Sequence, residues 1–79
     1  MNRDELESGA LYADNRGRTW KILDWLYHNP GEPYYQQAPD RDNATHLHAW
    51  NDQAKGKKGK FISIAAFLRS VTHRVIAHG

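Results

Sequence analysis

Alternation of apolar and polar positions is clearest over residues 45–50. There Thr45, Leu47 and Ala49 fall on one face of an extended strand and His46, His48 and Trp50 on the other. Residues 60–64, KFISI, return as a second strand, and the glycine- and lysine-rich segment before them turns the chain, with Gly56 and Gly59 at the bend. Upstream, residues 10–13 are a short apolar run, residues 14–18 carry turn chemistry, and residues 19–27 are rich in aromatic and branched side chains. Gly17 supplies the positive φ that a short hairpin loop needs. On that strand Trp20, Ile22 and Leu26 share one face with Asp24, whereas Lys21, Leu23, Trp25 and Tyr27 share the other. A helical reading competes: Thr19 can cap a helix over residues 20–28, ended by Asn29-Pro30-Gly31, as in the first helix of a winged helix.

The period changes near the C-terminus. From Ser63, a helix N-cap candidate, Ile64, Phe67, Leu68, Val71 and Val75 recur at helical spacing. Arg69, Thr72 and His73 lie off that stripe, and His73 and Arg74 suit the negative pole of the helix. Residues 29–44 hold all three prolines and read as loop, with a short edge strand at 34–37. Residues 1–9 have too few apolar positions to hold a helix and read as a flexible leader. The pattern therefore predicts one α+β domain over residues 10–79. It comprises a small antiparallel sheet of two hairpins and a C-terminal amphipathic helix; the alternative is a winged helix.

Composition narrows the function classes. A chain of 79 residues holds one core. It has no cysteine, which excludes disulfides and thiolate zinc sites and fits a cytoplasmic protein. No apolar run approaches the length of a membrane-spanning helix, and the polar, acidic N-terminus is unlike a secretory signal. The net charge of +2 hides a segregation. Residues 1–54 hold all nine acids against Arg3, Arg16, Arg18, Lys21 and Arg41, whereas Lys55, Lys57, Lys58, Lys60, Arg69 and Arg74 follow with no acid. A basic third steers a protein toward phosphates or an acidic surface, unless the two halves neutralise each other in the fold.

The lysine cluster can grip phosphates like a wing or serve as a solvated loop tip. Aromatics beside it can stack on bases or anchor a protein, although two of the three tryptophans are expected in the core. Tyr34, Tyr35 and Trp50 are the candidate anchors, and Lys55, Lys57, Lys58, Lys60, Arg69 and Arg74 the candidate charges. His46 and His48 can chelate zinc from one strand face, but no third ligand stands at a diagnostic spacing, so they read as half-exposed histidines. Residues 40–45 resemble the start of a calcium loop but lack its sixth-position glycine and, at Asn51, its twelfth-position glutamate. With no nucleophile elbow, phosphate-binding glycine loop or HExxH, no enzyme and no cofactor is expected.

Tyr12, Asp14, Gly17, Arg18, Trp20 and Ile22, followed by Ser63, Phe67 and Val71, form a further pattern. It resembles that of short, mostly uncharacterised proteins encoded by phages and prophages, which carry a Y/D-x-x-G-R-x-W hairpin and a closing S/P-x-x-x-F-x-x-x-V helix. The likeness covers about a third of the chain, and residues 28–58 depart from it. It implies an SH3-like or β-roll fold and a phage accessory role in the host cytoplasm, binding and inhibiting a host protein or protein–nucleic-acid complex. It carries over no functional residue. Direct DNA or RNA binding and a self-associating assembly subunit are the alternatives.

Overall fold

A computed structural model describes residues 1–53 and 59–76. After a single 3₁₀ turn (Arg3–Glu5) come β1 (Leu11–Asp14), β2 (Thr19–Tyr27), β3 (Gln36–Gln37), β4 (His46–Asn51), β5 (Lys60–Ser63), helix α1 (Ile64–Ser70) and β6 (Val71–Val75). The strands form one antiparallel sheet in the order β5-β4-β2-β1-β6, with β3 pairing beside the far half of β2. The α+β reading and both hairpins are present. Residues 19–27 are strand, not helix.

The first hairpin is organised around one carboxylate. Asp14, its side chain fully buried, accepts hydrogen bonds from the backbone N–H groups of Arg16 and Arg18, each at 2.9 Å. It also accepts from Arg18 Nε at 2.7 Å and from the Trp20 indole Nε1 at 2.9 Å. Burial alone would raise its pKa, but these bonds, led by that from Trp20, hold the carboxyl well below the usual carboxylate range. Gly17 turns the loop at φ 79°, a conformation costly for any residue with a Cβ. The guanidinium of Arg18 then lies 5.2 Å over the Trp20 ring.

That hairpin packs on α1. Tyr12 and Trp20 meet Phe67 edge-to-face, with centroids 5.9 and 6.4 Å apart, and Ile22, Leu47, Ala49, Ile64 and Val71 complete the inner layer. Residues 1–9 contribute as well, because Leu6 is fully buried in this cluster. Tyr12 Oη receives the N–H of Glu7 and donates to the carbonyl of Glu5, while Arg41 reaches the carbonyls of Asp4 and Leu6. The segment read as a flexible leader thus packs on the domain through Leu6 and through these polar bonds.

Two elements depart from the sequence pattern. Register shifts between Ile22 and Asp24, so Leu23 is an extra residue and the faces of β2 exchange beyond it. Trp25 pairs with buried Leu47 and packs against the core, while Asp24 and Leu26 join Lys21 on the opposite face, paired with His48, His46 and Trp50. The second departure is at the C-terminus. Ser63 caps α1 by accepting from Ala66 N–H, but the helix is seven residues long and ends at Val71, which is extended at ψ 142°. Ser70 donates to the carbonyl of Phe67, and branched Val71, Thr72 and Val75 serve as the strand that β1 lacks on its second edge. The stripe expected to continue as helix through Val75 is thus split between α1 and β6.

Candidate functional site

The outer face of β2, β4 and β5 carries a contiguous set of rings. Along β4, Leu47, Ala49 and Asn51 are buried inward, and His46, His48 and Trp50 stand half-buried on the other side, as the alternation predicts. Phe61 of β5 pairs with His48, and Asp24 of β2 pairs with His48 from the other side, so Phe61, His48 and Asp24 form one row across three strands. Ser63, His46 and Leu26 form the next row.

Residues 28–35 fold one edge of this surface onto the sheet. The Tyr35 ring lies 4.8 Å from Phe61, 5.0 Å from His46 and 4.6 Å from His28, centroid to centroid. His28 is 5.6 Å from His46, and His48 is 5.1 Å from Phe61 at 86°. Five rings are therefore in mutual edge or tilted contact, and Phe61 remains 52% exposed. Thr45 wires the loop to β4: its Oγ1 receives the His28 backbone N–H at 2.9 Å and meets His46 Nδ1 at 2.8 Å. His28 Nε2 in turn meets the Glu32 carbonyl at 2.7 Å, which requires a proton on that nitrogen. Burial, then the neighbouring His28, lowers the pKa of His46 and so favours its neutral form.

Gly59 belongs to this face for a reason other than turning. A Cβ there would collide with the His48 ring and come within 2.7 Å of the Ala49 carbonyl. The glycine makes room for the histidine.

The sequence-derived candidates separate in space. Tyr35 and Trp50 lie on the ring face, with Trp50 opposite Lys21. Tyr34 is 60% exposed in the adjoining loop. Lys60 pairs with Ala49, so it points to the opposite side of the sheet from Phe61. Arg69 is exposed on α1. Arg74, on β6 at the far edge, forms an ion pair with Glu7 at 3.3 Å, so one acid of the N-terminal part does neutralise one of the C-terminal cations. Lys55, Lys57 and Lys58 lie outside the described residues.

Phe61, His28 and Asp24 are on or beside this face but were not among the partner-contact candidates read from the sequence. Parity on KFISI, matched to that of residues 45–50, offered a signal for Phe61. Nothing local predicted His28, and the extra residue at Leu23 hid Asp24. Two open clefts of about 500 and 630 Å³ flank the Arg74–Glu7 pair, away from the rings. Among the described residues, no three His, Asp or Glu side chains are placed to hold a metal ion, and no helix is long and apolar enough to cross a membrane. No family model, curated protein or solved structure matches the chain.

Proposed function

We propose that this chain is a non-catalytic accessory module that docks a protein partner on the ring-lined face of β2, β4 and β5. The observation that carries the reading is the mutually packed set of half-buried His28, Tyr35, His46 and His48 with Phe61, which is 52% exposed. Rigid rings held by neighbours give contact area at small entropy cost, the usual makeup of an interface hot spot. Two further features favour an SH3-like barrel over a winged helix. One is the order β5-β4-β2-β1-β6, with a long irregular β2 shared by both halves; the other is a short helix before the last strand.

The resemblance of the first hairpin and of Ser63, Phe67 and Val71 to phage-encoded proteins supplies the setting. The partner is a host protein of nucleic-acid handling or defence, met in the bacterial cytoplasm. Affinity capture from bacterial lysate with Phe61→Ala and Arg74→Ala variants tests the docking surface. Loss of the captured protein with Phe61→Ala alone is expected. Loss with Arg74→Ala alone overturns the assignment.

Direct binding of single-stranded nucleic acid is the second reading, favoured by Lys21 standing opposite Trp50 on the same face. Salt-titrated fluorescence anisotropy with oligonucleotides separates the two. Steep loss of binding with added salt, abolished by Lys21→Gln and Phe61→Ala together, would favour nucleic acid.

A further inference from the structure

The row formed by Phe61, His48 and Asp24 has the components of an arginine receptor. Asp24 is exposed, receives only a 3.3 Å bond from Gln37 Nε2, and forms no ion pair with the described residues. The other exposed acids lie off this row: Glu7 is paired with Arg74 and Asp42 with Arg41, Glu5, Asp40 and Asp52 accept backbone N–H groups of Asn2, Asn43 and Thr19, and Asp4 is in the N-terminal 3₁₀ turn. Asp24 is thus a carboxylate in line with two rings, on a face whose other polar side chains, among the described strand residues of β2, β3, β4 and β5, are Thr19, Lys21, Gln37 and Ser63.

Strand spacing places Asp24 about 10 Å from Phe61 with His48 between them, comparable to the reach of an extended arginine side chain laid across the row. Phe61 and His48 meet at 86°, so they are not stacked on each other, and Phe61, although also touched by Tyr35, is 52% exposed and offers ring surface to a planar cation. Gly59 has no side chain to cover that approach. A guanidinium both stacks on a ring and donates a two-pronged hydrogen bond to a carboxylate, whereas an ammonium offers a point charge and stays more strongly hydrated.

We infer that the Phe61–His48–Asp24 row binds an arginine side chain of the partner, stacked on the rings and paired with Asp24. This rests on the docking reading and sharpens it: the partner presents an arginine-bearing basic segment, the kind of surface with which nucleic-acid-handling proteins hold phosphates. Lys21, on the same face, opposes such a cation.

The test is titration of the full chain with two blocked peptides, alternating Arg-Gly and alternating Lys-Gly of equal length, followed by amide NMR shifts and calorimetry. The expected result is shifts centred on residues 24, 48 and 61, with the arginine peptide bound roughly fivefold tighter than the lysine peptide or better. Asp24→Asn and Phe61→Ala should each weaken the arginine peptide about fivefold or more, and Lys21→Gln should tighten it. The sign of Lys21→Gln is the discriminating readout, because a nucleic-acid ligand would weaken in that variant. Equal binding of the two peptides, shifts centred elsewhere, or tighter binding of an oligothymidylate at this face overturns the inference. If neither peptide binds but Phe61→Ala still abolishes partner capture, the arginine assignment fails and the docking face stands. If Phe61→Ala leaves capture intact, the docking reading itself fails.

Discussion

The β1–β2 hairpin and the outer ring face are both rich in aromatic and charged residues, yet they treat those residues in opposite ways. At the hairpin every polar atom singled out has a partner inside the molecule. Asp14 accepts four hydrogen bonds, Trp20 donates its only proton to it, and Tyr12 Oη both receives and donates. On the ring face, Phe61 remains more than half exposed, and Asp24 has only a long amide bond. A saturated network rigidifies a fold and leaves nothing to offer a ligand, whereas ordered but unsaturated groups do. The hairpin network is therefore a device for folding.

Substitutions should separate the two regions. The largest effect is expected from Asp14→Ala, which leaves the Trp20 indole and the Arg16 and Arg18 amides without their acceptor. A loss of about 3 kcal/mol, read from urea midpoints, is a large share of the stability of a domain this size. Partner binding should fall only in proportion to the unfolded fraction. Gly59→Val is next: displacement of the His48 ring should cost about 1–2 kcal/mol and shift the ring resonances of His48 and Phe61. Phe61→Ala should change stability by under about 1 kcal/mol, since the side chain is half exposed, while removing partner binding. That variant breaks the comparison if it unfolds the protein or leaves binding untouched.

pH sharpens the same contrast. The folded-state pKa of Asp14 is depressed, so its contribution is fully present above the unfolded carboxylate value. It is lost as pH falls from about 5, and Asp14→Asn should flatten that acid limb. The folded-state pKa of His46 is also depressed, but for a base this means the unfolded chain takes up the proton first. Stability tied to neutral His46 is present above the ordinary histidine value of about 6.5 and is lost as pH falls below it. The smallest expected effect is thus a mild loss as pH falls from about 7 to about 5.5, reduced in His46→Asn.

Much of the fold was legible because its signals are local. Alternation over residues 45–50 fixed the faces of β4, turn chemistry at 14–18 marked the first hairpin, and Ser63 capped α1. The remainder depends on partners distant in sequence. Helical spacing through Val75 gave way to pairing with β1, because a free sheet edge and branched side chains outweigh a periodicity sustained over only two turns. A single extra residue at Leu23 exchanged the faces of β2, so Asp24 was read on the side of Trp20 and Ile22. The site was less legible than the fold. Its rings come from a proline-rich loop, β4 and β5, and no local pattern predicts their meeting. The lysine run that dominates the sequence drew attention to charge, yet Lys60 points away from the rings and the neighbouring Gly59 serves His48.

The most direct measurement is site-specific photo-crosslinking in bacterial lysate, with benzoylphenylalanine placed at position 61 in one variant and at exposed Arg16 of the hairpin tip in another. A discrete protein adduct from position 61 with none from position 16 is the predicted result. Adducts from position 16 alone, or none from position 61 in a chain confirmed to be folded, would contradict the assignment of the ring face as the docking surface.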